Sequence, residues 1–132
     1  SIISMQSLTF EKIADSRTRK GNVLETARIA GIMAAKQTHL LIPMCHPIQI
    51  RHVQIDFYPD EKAGSFRIEA LVEADDCTGV EMEAMTAASV AALTVYDMCK
   101  SHDRAMTISD VCLMEKSGGK SGAFVRGGKG AS

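Results

Sequence analysis

The sequence predicts a single domain in which buried helices pack with an antiparallel β-hairpin. Residues 79–100 form a helical segment that carries no charge from position 84 to 96, which indicates a buried element shorter than the ~20 residues of a membrane span. Residues 48–58 and 66–72 alternate apolar and polar side chains around a turn-forming segment. With 132 residues, the chain has room for one modest core, or is a protomer that completes its core by association.

The chain begins with a short apolar segment, residues 1–5, which predicts the end of a strand, and residues 7–13 predict a short helix. The polar and basic loop of residues 16–20 then places Lys20 at the start of the next element. Lys20 has two interpretations. It is either an ordinary solvated lysine or a mobile cation above a helix N-terminus, where an anion would also bind favourably.

A second helix is predicted because Asn22 is followed three residues later by Glu25, a helix-capping pattern. Apolar residues at helical spacing continue this helix to about Gln37. A rigid loop comes next, since Pro43 and Pro47 fix the backbone on both sides of residues 44–46.

His46 lies within that loop, between the two prolines. A lone histidine is more often a structural hydrogen-bonding group than a functional one. The rigid loop favours the functional interpretation, because a positioned side chain needs a rigid support.

The predicted hairpin contains one irregularity. Apolar positions in residues 48–58 change from even to odd numbers, and a β-bulge near Arg51 and His52 reconciles the two halves. Residues 59–64 have the composition of a turn, and residues 66–72 form the return strand with one face buried.

The long helix is predicted to begin near Gly79. Thr78 and Glu81 have the spacing of a capping box, and Asp76 and Gly79 are poor residues for a strand interior. Carboxylates in the first turn are favoured by the helix dipole. Alanines keep the helix thin enough for close packing; they are Ala84, Ala87, Ala88, Ala91 and Ala92.

One stripe of this helix has an acidic residue at each end and a polar residue between them. Its members at helical spacing are Glu83, Ala87, Val90, Thr94, Asp97 and Ser101. Lys100 lies one turn beyond Asp97, so the two can pair. The simpler alternative is that Glu81 only caps, Glu83 is solvated, and Asp97 with Lys100 is a surface pair.

The last part of the chain is predicted to be a strand followed by a glycine-rich segment. Residues 106–115 indicate the strand, with a bulge at Ser109 and Asp110. Residues 116–132 contain six of the ten glycines. They form either a disordered tail or a flexible loop whose amides and lysines close on phosphate. A P-loop is rejected because Met114 stands where that motif needs glycine.

The composition is that of an ordinary soluble globular protein, with a net charge of -1. Its basic residues are dispersed, so nothing indicates a nucleic-acid-binding surface. No signal peptide or transmembrane segment is visible, which favours a cytoplasmic protein without membrane contact. Because the chain begins at Ser1 and not at methionine, we expect further residues upstream.

The cysteines predict reduced thiols. Their spacing is not that of a disulfide or zinc framework, and they are Cys45, Cys77, Cys99 and Cys112. Cys99 and His102 stand three residues apart and could share a metal ion, but two ligands are a weak signal.

The candidate polar residues fit a ligand that is polyanionic at one end and rich in hydrogen-bond donors at the other. The cations are Lys20, Lys100, Lys116 and Lys120, and the acids are Glu81, Glu83 and Asp97. A guanine-type base would donate to the glutamates and a triphosphate would bind the lysines. Lysines that lie close together should also lower one another's pKa, which would prepare one of them for acid or base catalysis.

Four long motifs in order carry a family resemblance: KGNVLETARIAGIMAAK, LIPMCHP, TGVEMEAMTAASVAALTVYDMCK and EKSGGKSG. From about Lys20 to Phe124 the chain resembles the cyclic pyranopterin monophosphate synthase family, also called the molybdenum cofactor biosynthesis protein C family. The resemblance implies an α+β, ferredoxin-like fold and a homohexamer, a trimer of dimers with active sites between subunits. It also implies conversion of (8S)-3',8-cyclo-7,8-dihydroguanosine 5'-triphosphate to cyclic pyranopterin monophosphate with release of diphosphate.

The resemblance also implies roles for individual residues. Asp97, Lys20 and Lys100 match the catalytic residues, and the lysines act as acid and base. The substrate-binding residues implied are Met44, Cys45, His46, Glu81, Met82, Glu83, Lys116 and, within the same glycine-rich motif, Lys120. No protein metal ligand is implied, and whether Mg²⁺ accompanies the triphosphate stays open. The family usually has a further N-terminal segment whose basic residue reaches the site.

Two other function classes remain as alternatives. One is a non-catalytic nucleotide-binding sensor of ferredoxin-like fold, in which the same lysines only bind phosphate. The other is a metal-binding or thiol redox protein that uses Cys45, His46, Cys99 and His102.

Overall fold

The computed structural model describes residues 1–75 and 78–128, in which a four-stranded antiparallel sheet packs against helices. In chain order the elements are β1 (Ile2–Ser4), α1 (Ser7–Ala14), α2 (Val23–Lys36), α3 (Thr38–Leu41), β2 (Ile50–Asp60), β3 (Ser65–Ala74), α4 (Glu81–Cys99), β4 (Thr107–Ser109), β5 (Glu115–Lys116) and β6 (Phe124–Val125). The sheet order is β2-β3-β1-β4, and β5 pairs with β6 in a separate ribbon. This split β-α-β order is the ferredoxin-like arrangement, so the predicted fold class is confirmed.

Most of the local predictions are confirmed. The side chain of Asn22 caps α2 by accepting a 3.1 Å hydrogen bond from the backbone N–H of Glu25. The β2–β3 pairing shifts register between Ile50 and His52, where the bulge was predicted. The hairpin turns over residues 61–64, where Gly64 has a positive φ of 61°.

The capping-box prediction for α4 is wrong. The helix begins at Glu81, its N-cap is Val80, and no side chain makes a capping hydrogen bond. The physical reason is that the helix starts later than predicted: Val80 occupies the N-cap and has no side-chain acceptor, while the carboxylate of Glu81 lies over Gly79 and pairs with the distant Lys116. Asp76, which supported that prediction, and Cys77 lie outside the described residues.

The single strand predicted over residues 106–115 is also wrong. Asp110 has a φ of 53°, in the left-handed region, and this turn ends β4 at Ser109. The chain leaves the main sheet there and pairs again only at Glu115, in the ribbon with β6. The expected bulge at Ser109 and Asp110 is therefore a break between two sheets.

A buried aspartate that no sequence pattern indicated caps the start of α1. Gln6 is the N-cap of α1, and its own side chain makes no capping bond. Its backbone N–H instead donates to Oδ2 of Asp103 at 2.9 Å, while Oδ1 accepts from the N–H of Ala105 at 3.1 Å. Asp103 is buried and satisfied by these bonds, which tie the segment after α4 to the start of α1.

Small residues set the distance between α2 and α4. Gly31 of α2 lies against the backbone carbonyl of Ala87 and the methyl of Ala91, both completely buried in α4. On the sheet side, α4 buries its apolar face against Ile3, Ile55, Phe66 and Ile68. The predicted burial of the alanine-rich helix is confirmed.

We predict that Gly31→Ala destabilises the protein by about 1–3 kcal/mol, because the added methyl would overlap Ile55 and come within 2.9 Å of the Ala87 carbonyl oxygen. Urea unfolding measures this change. The substitution also stabilises the helix by about 1 kcal/mol, because alanine has a higher helix propensity than glycine. The steric cost must exceed this gain for the free energy of unfolding to fall. Ala30→Gly, in the same helix, is the control that reports propensity alone. A Gly31→Ala protein as stable as the parent would contradict the packing described.

Candidate active site

The C-terminal end of α4 carries a cluster of two lysines and an aspartate. Nζ of Lys100 lies 2.8 Å from Oδ1 of Asp97, which confirms the predicted pair. Nζ of Lys20 donates a 3.4 Å hydrogen bond to the backbone carbonyl oxygen of Asp97. Lys20 arrives from the loop before α2, where Gly21 turns with a φ of 94°. We call Lys20, Asp97 and Lys100 the acid–base cluster.

Within the acid–base cluster, opposite charges stabilise the ionised forms of Asp97 and Lys100. The pKa of Asp97 is lowered, mainly by the hydrogen bond from Lys100 and then by the charges of Lys100 and Lys20. The pKa of Lys100 is raised by the hydrogen bond to Asp97 and by its charge. The expectation that neighbouring lysines lower one another's pKa is thus wrong for Lys100, because the adjacent carboxylate has the larger effect.

The N-terminal end of α4 carries a second cluster, which includes one end of the glycine-rich segment. Nζ of Lys116 pairs with Oε1 of Glu81 and lies 2.5 Å from Oγ of Ser121. The hydrogen bond from Lys116 is the main cause of a lowered pKa at Glu81. Only 11% of the Lys116 side chain is exposed. We call Glu81, Lys116 and Ser121 the helix-start cluster.

The cleft beside this cluster lies between β3, the start of α4 and β5. It has a volume of about 240 Å³, and its walls include Gly79, Glu81 and Lys116. Lys120 is exposed on the same loop, and it makes no ion pair within residues 1–75 and 78–128. Whether this loop moves when a ligand binds stays a prediction.

Two other predicted residues near the start of α4 differ in solvent exposure. Met82 is 38% exposed, whereas Glu83 is 3% exposed. The simpler interpretation of Glu83 as a solvated residue at the helix start is therefore wrong. A buried carboxylate two residues from a lysine-paired one gives this end of α4 two acids in different environments.

The loop of residues 42–49 is the third predicted part of the site. Because α2 approaches α4 from Lys20 near Asp97 to Gly31 near Ala87, the two helices run antiparallel. The loop follows α2 and α3, so it lies toward the end of α4 where Glu81 begins. His46 is exposed there, Cys45 is partly buried, and Met44 is 94% exposed.

A single copy of the chain therefore keeps the two clusters apart. Sixteen residues separate Glu81 from Asp97 along α4, which corresponds to about 24 Å of helix. The structure brings Lys20, Asp97 and Lys100 together, and Glu81, Lys116 and Lys120 into one neighbourhood, but it does not join the two groups.

In the described part of the chain, no cluster of side chains supports the metal-binding or redox alternatives. No group of three or more His, Cys, Asp or Glu side chains there could hold a metal ion. Cys45, Cys99 and Cys112 are free thiols, and burial raises the pKa of Cys99. Among the described helices, none is long and apolar enough to cross a membrane.

Comparison with known proteins assigns the chain to a family. Residues 1–119 match the MoaC family, and the chain belongs to it. A relative from Desulfatibacillum aliphaticivorans is 60% identical over 126 residues, which are 96% of this chain and 79% of that protein. Relatives from Desulforapulum autotrophicum and Syntrophomonas wolfei are 57% and 58% identical, over 93% and 95% of this chain and 76% and 80% of their own length.

All three relatives carry the name cyclic pyranopterin monophosphate synthase. The resemblance stated from the four motifs and the prediction of an enzyme of this family are confirmed.

Ser121 is the residue of these clusters that sequence reasoning missed. Its hydroxyl reaches Lys116 five positions earlier in the chain. A serine within a run of glycines resembles linker composition, so the sequence contained no signal that would single it out.

We predict that Asp97→Asn lowers the pKa of Lys100 toward the ordinary lysine value, because it removes the carboxylate that raises it. NMR titration of isotope-labelled lysine side chains measures the change. Asp15→Asn, which removes the exposed partner of Arg17, is the control and should leave Lys100 unchanged. If Lys100 titrates identically in Asp97→Asn and the parent, the pairing described is incorrect.

Proposed function

We propose that this chain converts (8S)-3',8-cyclo-7,8-dihydroguanosine 5'-triphosphate to cyclic pyranopterin monophosphate and diphosphate. The observation that supports this most strongly is the acid–base cluster of Lys20, Asp97 and Lys100, in a chain up to 60% identical to proteins named for this synthase. The sensor alternative is not favoured, because these relatives carry the name of an enzyme. A cytoplasmic location is part of the same proposal.

The rearrangement needs protons to be given and taken on one bound substrate, which is the task of the acid–base cluster. Lys100 is held in its protonated form near neutral pH, since Asp97 raises its pKa, so it carries a proton that it can give to the substrate. Lys20 approaches the same aspartate from another element, through the backbone carbonyl and not the carboxylate. We therefore assign the acid role to Lys100 and the base role to Lys20.

Formation of the cyclic phosphate needs charge stabilisation at the other end of the substrate. A substrate hydroxyl releases its proton to solvent water as its oxygen attacks the α-phosphorus, the bond from that phosphorus to the bridging oxygen breaks, and its electron pair leaves with diphosphate. Lys116 and Lys120 are the cations that we assign to the stabilisation of that leaving group; Lys116 is largely buried beside the cleft and Lys120 is exposed on the same loop. Glu81, Met82 and Glu83 at the start of α4, and Met44, Cys45 and His46 in the loop of residues 42–49, are the further residues that we assign to substrate binding.

One site must draw the two clusters from different copies, since about 24 Å of helix separates them within one. The surface of a single copy supports such an assembly, because large apolar side chains are exposed near the loop of residues 42–49. They include Ile29 at 59%, Met33 at 53%, Leu40 at 71%, Leu41 at 59% and Met44 at 94%. We propose the hexamer, a trimer of dimers with active sites between subunits.

Mg²⁺ is not assigned to a protein site. Asp97 and Glu81, a carboxylate from each cluster, already pair with Lys100 and Lys116. A magnesium ion that enters with the triphosphate would be held by the substrate's phosphate oxygens.

Lys20→Ala and Lys100→Ala should each lower turnover by at least ~100-fold while leaving the fold intact, because each removes a proton-transfer group. Diphosphate release reports turnover, and circular dichroism reports the fold. Lys62→Ala, in the exposed hairpin turn, should keep the parent rate. Parent rates in both cluster variants would refute the assignment of the cluster.

Mixing two inactive variants tests the shared site. Lys100→Ala and Lys116→Ala remove groups from opposite ends of α4. If subunits are exchanged at equal amounts, about a quarter of the sites should contain both lysines and recover activity. Mixing Lys100→Ala with Lys20→Ala is the control, since both changes fall in one cluster and no intact site can form. Equal recovery in the two mixtures, or none in either, would contradict a site built from two copies.

A further inference from the structure

The ammonium group of Lys116 has two protein partners with different chemistry. One is the carboxylate of Glu81, which is charged, and the other is the hydroxyl of Ser121, which is neutral. An ammonium group has three N–H donors, so one donor remains for a ligand. When an anionic ligand arrives, it competes with Glu81 for the charge but not with Ser121.

The backbone of the glycine-rich segment is shaped to bring Ser121 to Lys116. Gly118, Gly119 and Gly122 have φ values of 76°, 72° and 74°, which ordinary side chains rarely adopt. The N–H of Gly122 donates to the carbonyl oxygen of Gly119 at 3.4 Å, so the chain turns back at this point.

The same turn rests against the start of α4. A Cβ atom on Gly119 would lie 3.3 Å from the backbone nitrogen of Gly79 and 3.7 Å from Nζ of Lys116. The loop therefore approaches both the helix start and the ammonium group with no side chain in between. Ser121 follows Gly119 by two residues, and its hydroxyl accepts a hydrogen bond from Lys116.

We propose that Ser121 is a positioning residue for Lys116: its hydroxyl holds the ammonium group in the cleft when Lys116 exchanges Glu81 for a substrate or product phosphate. This inference rests on the proposed function, in which Lys116 binds the leaving diphosphate. Without the hydroxyl, the lysine side chain regains rotational freedom as soon as the anion displaces Glu81, and part of the binding free energy is lost in ordering it again.

The test compares Ser121→Ala with the parent in two measurements. Calorimetry with inorganic diphosphate should show binding weakened by about tenfold, the usual effect of losing a hydrogen bond to a charged group. Steady-state kinetics should show KM raised by a similar factor with a smaller change in kcat. A merely structural role would lower kcat through loss of folded enzyme and leave KM and diphosphate binding at parent values.

Three further variants isolate the hydroxyl and its partner. Ser121→Thr keeps the hydroxyl at an exposed position and should restore both values to within about threefold of the parent. Ser7→Ala, at an exposed serine that does not line the cleft beside Lys116, should behave like the parent. In a Lys116→Ala background, Ser121→Ala should add no further loss, because it acts through that lysine.

Unchanged diphosphate binding and KM in Ser121→Ala would overturn the inference, and so would a threonine variant that behaves like the alanine variant. The inference would also be overturned if adding Ser121→Ala to Lys116→Ala weakened diphosphate binding as much as Ser121→Ala weakens it in the parent. Failure of the proposed function is seen separately, as absence of diphosphate release by the parent protein, and it leaves the calorimetric comparison of the two proteins intact.

Discussion

The structure depends on the close approach of α2 to α4. Gly31 lets the carbonyl of Ala87 and the methyl of Ala91 come within van der Waals contact, and α4 then fits between α2 and the sheet. Because the two helices run antiparallel, this contact fixes which loop meets which end of α4. Lys20 before α2 meets Asp97, and the loop after α3 lies toward Glu81.

A continuous helix with candidate site residues at both ends imposes a constraint on the proposed active site. The acid–base cluster and the helix-start cluster cannot converge within one copy unless α4 breaks, and its 19 residues are continuous, with eight of them buried. Association between copies satisfies the constraint without any change in the fold. The exposed apolar side chains around Met44 and Leu40 are consistent with a surface that association covers.

Sequence reasoning succeeded where the determining contacts are local. Asn22 caps over three residues, Asp97 and Lys100 pair over one helical turn, and the bulge at Arg51 follows from a change of phase within one strand. It failed where a distant residue decides the outcome. Lys116 lies 35 positions from Glu81 and pairs with its carboxylate, and the backbone N–H of Gln6 donates to Asp103, 97 positions away.

The central claim is that one active site contains Lys100 from one copy and Lys116 from another. A crystal structure of the assembly with cyclic pyranopterin monophosphate and diphosphate tests it most directly. The account predicts that Lys20, Asp97 and Lys100 of one subunit surround the pterin end while Lys116 of a neighbouring subunit contacts diphosphate in the same cavity. If each bound product is contacted by a single copy, or if the two clusters face separate surfaces of the assembly, the claim is wrong.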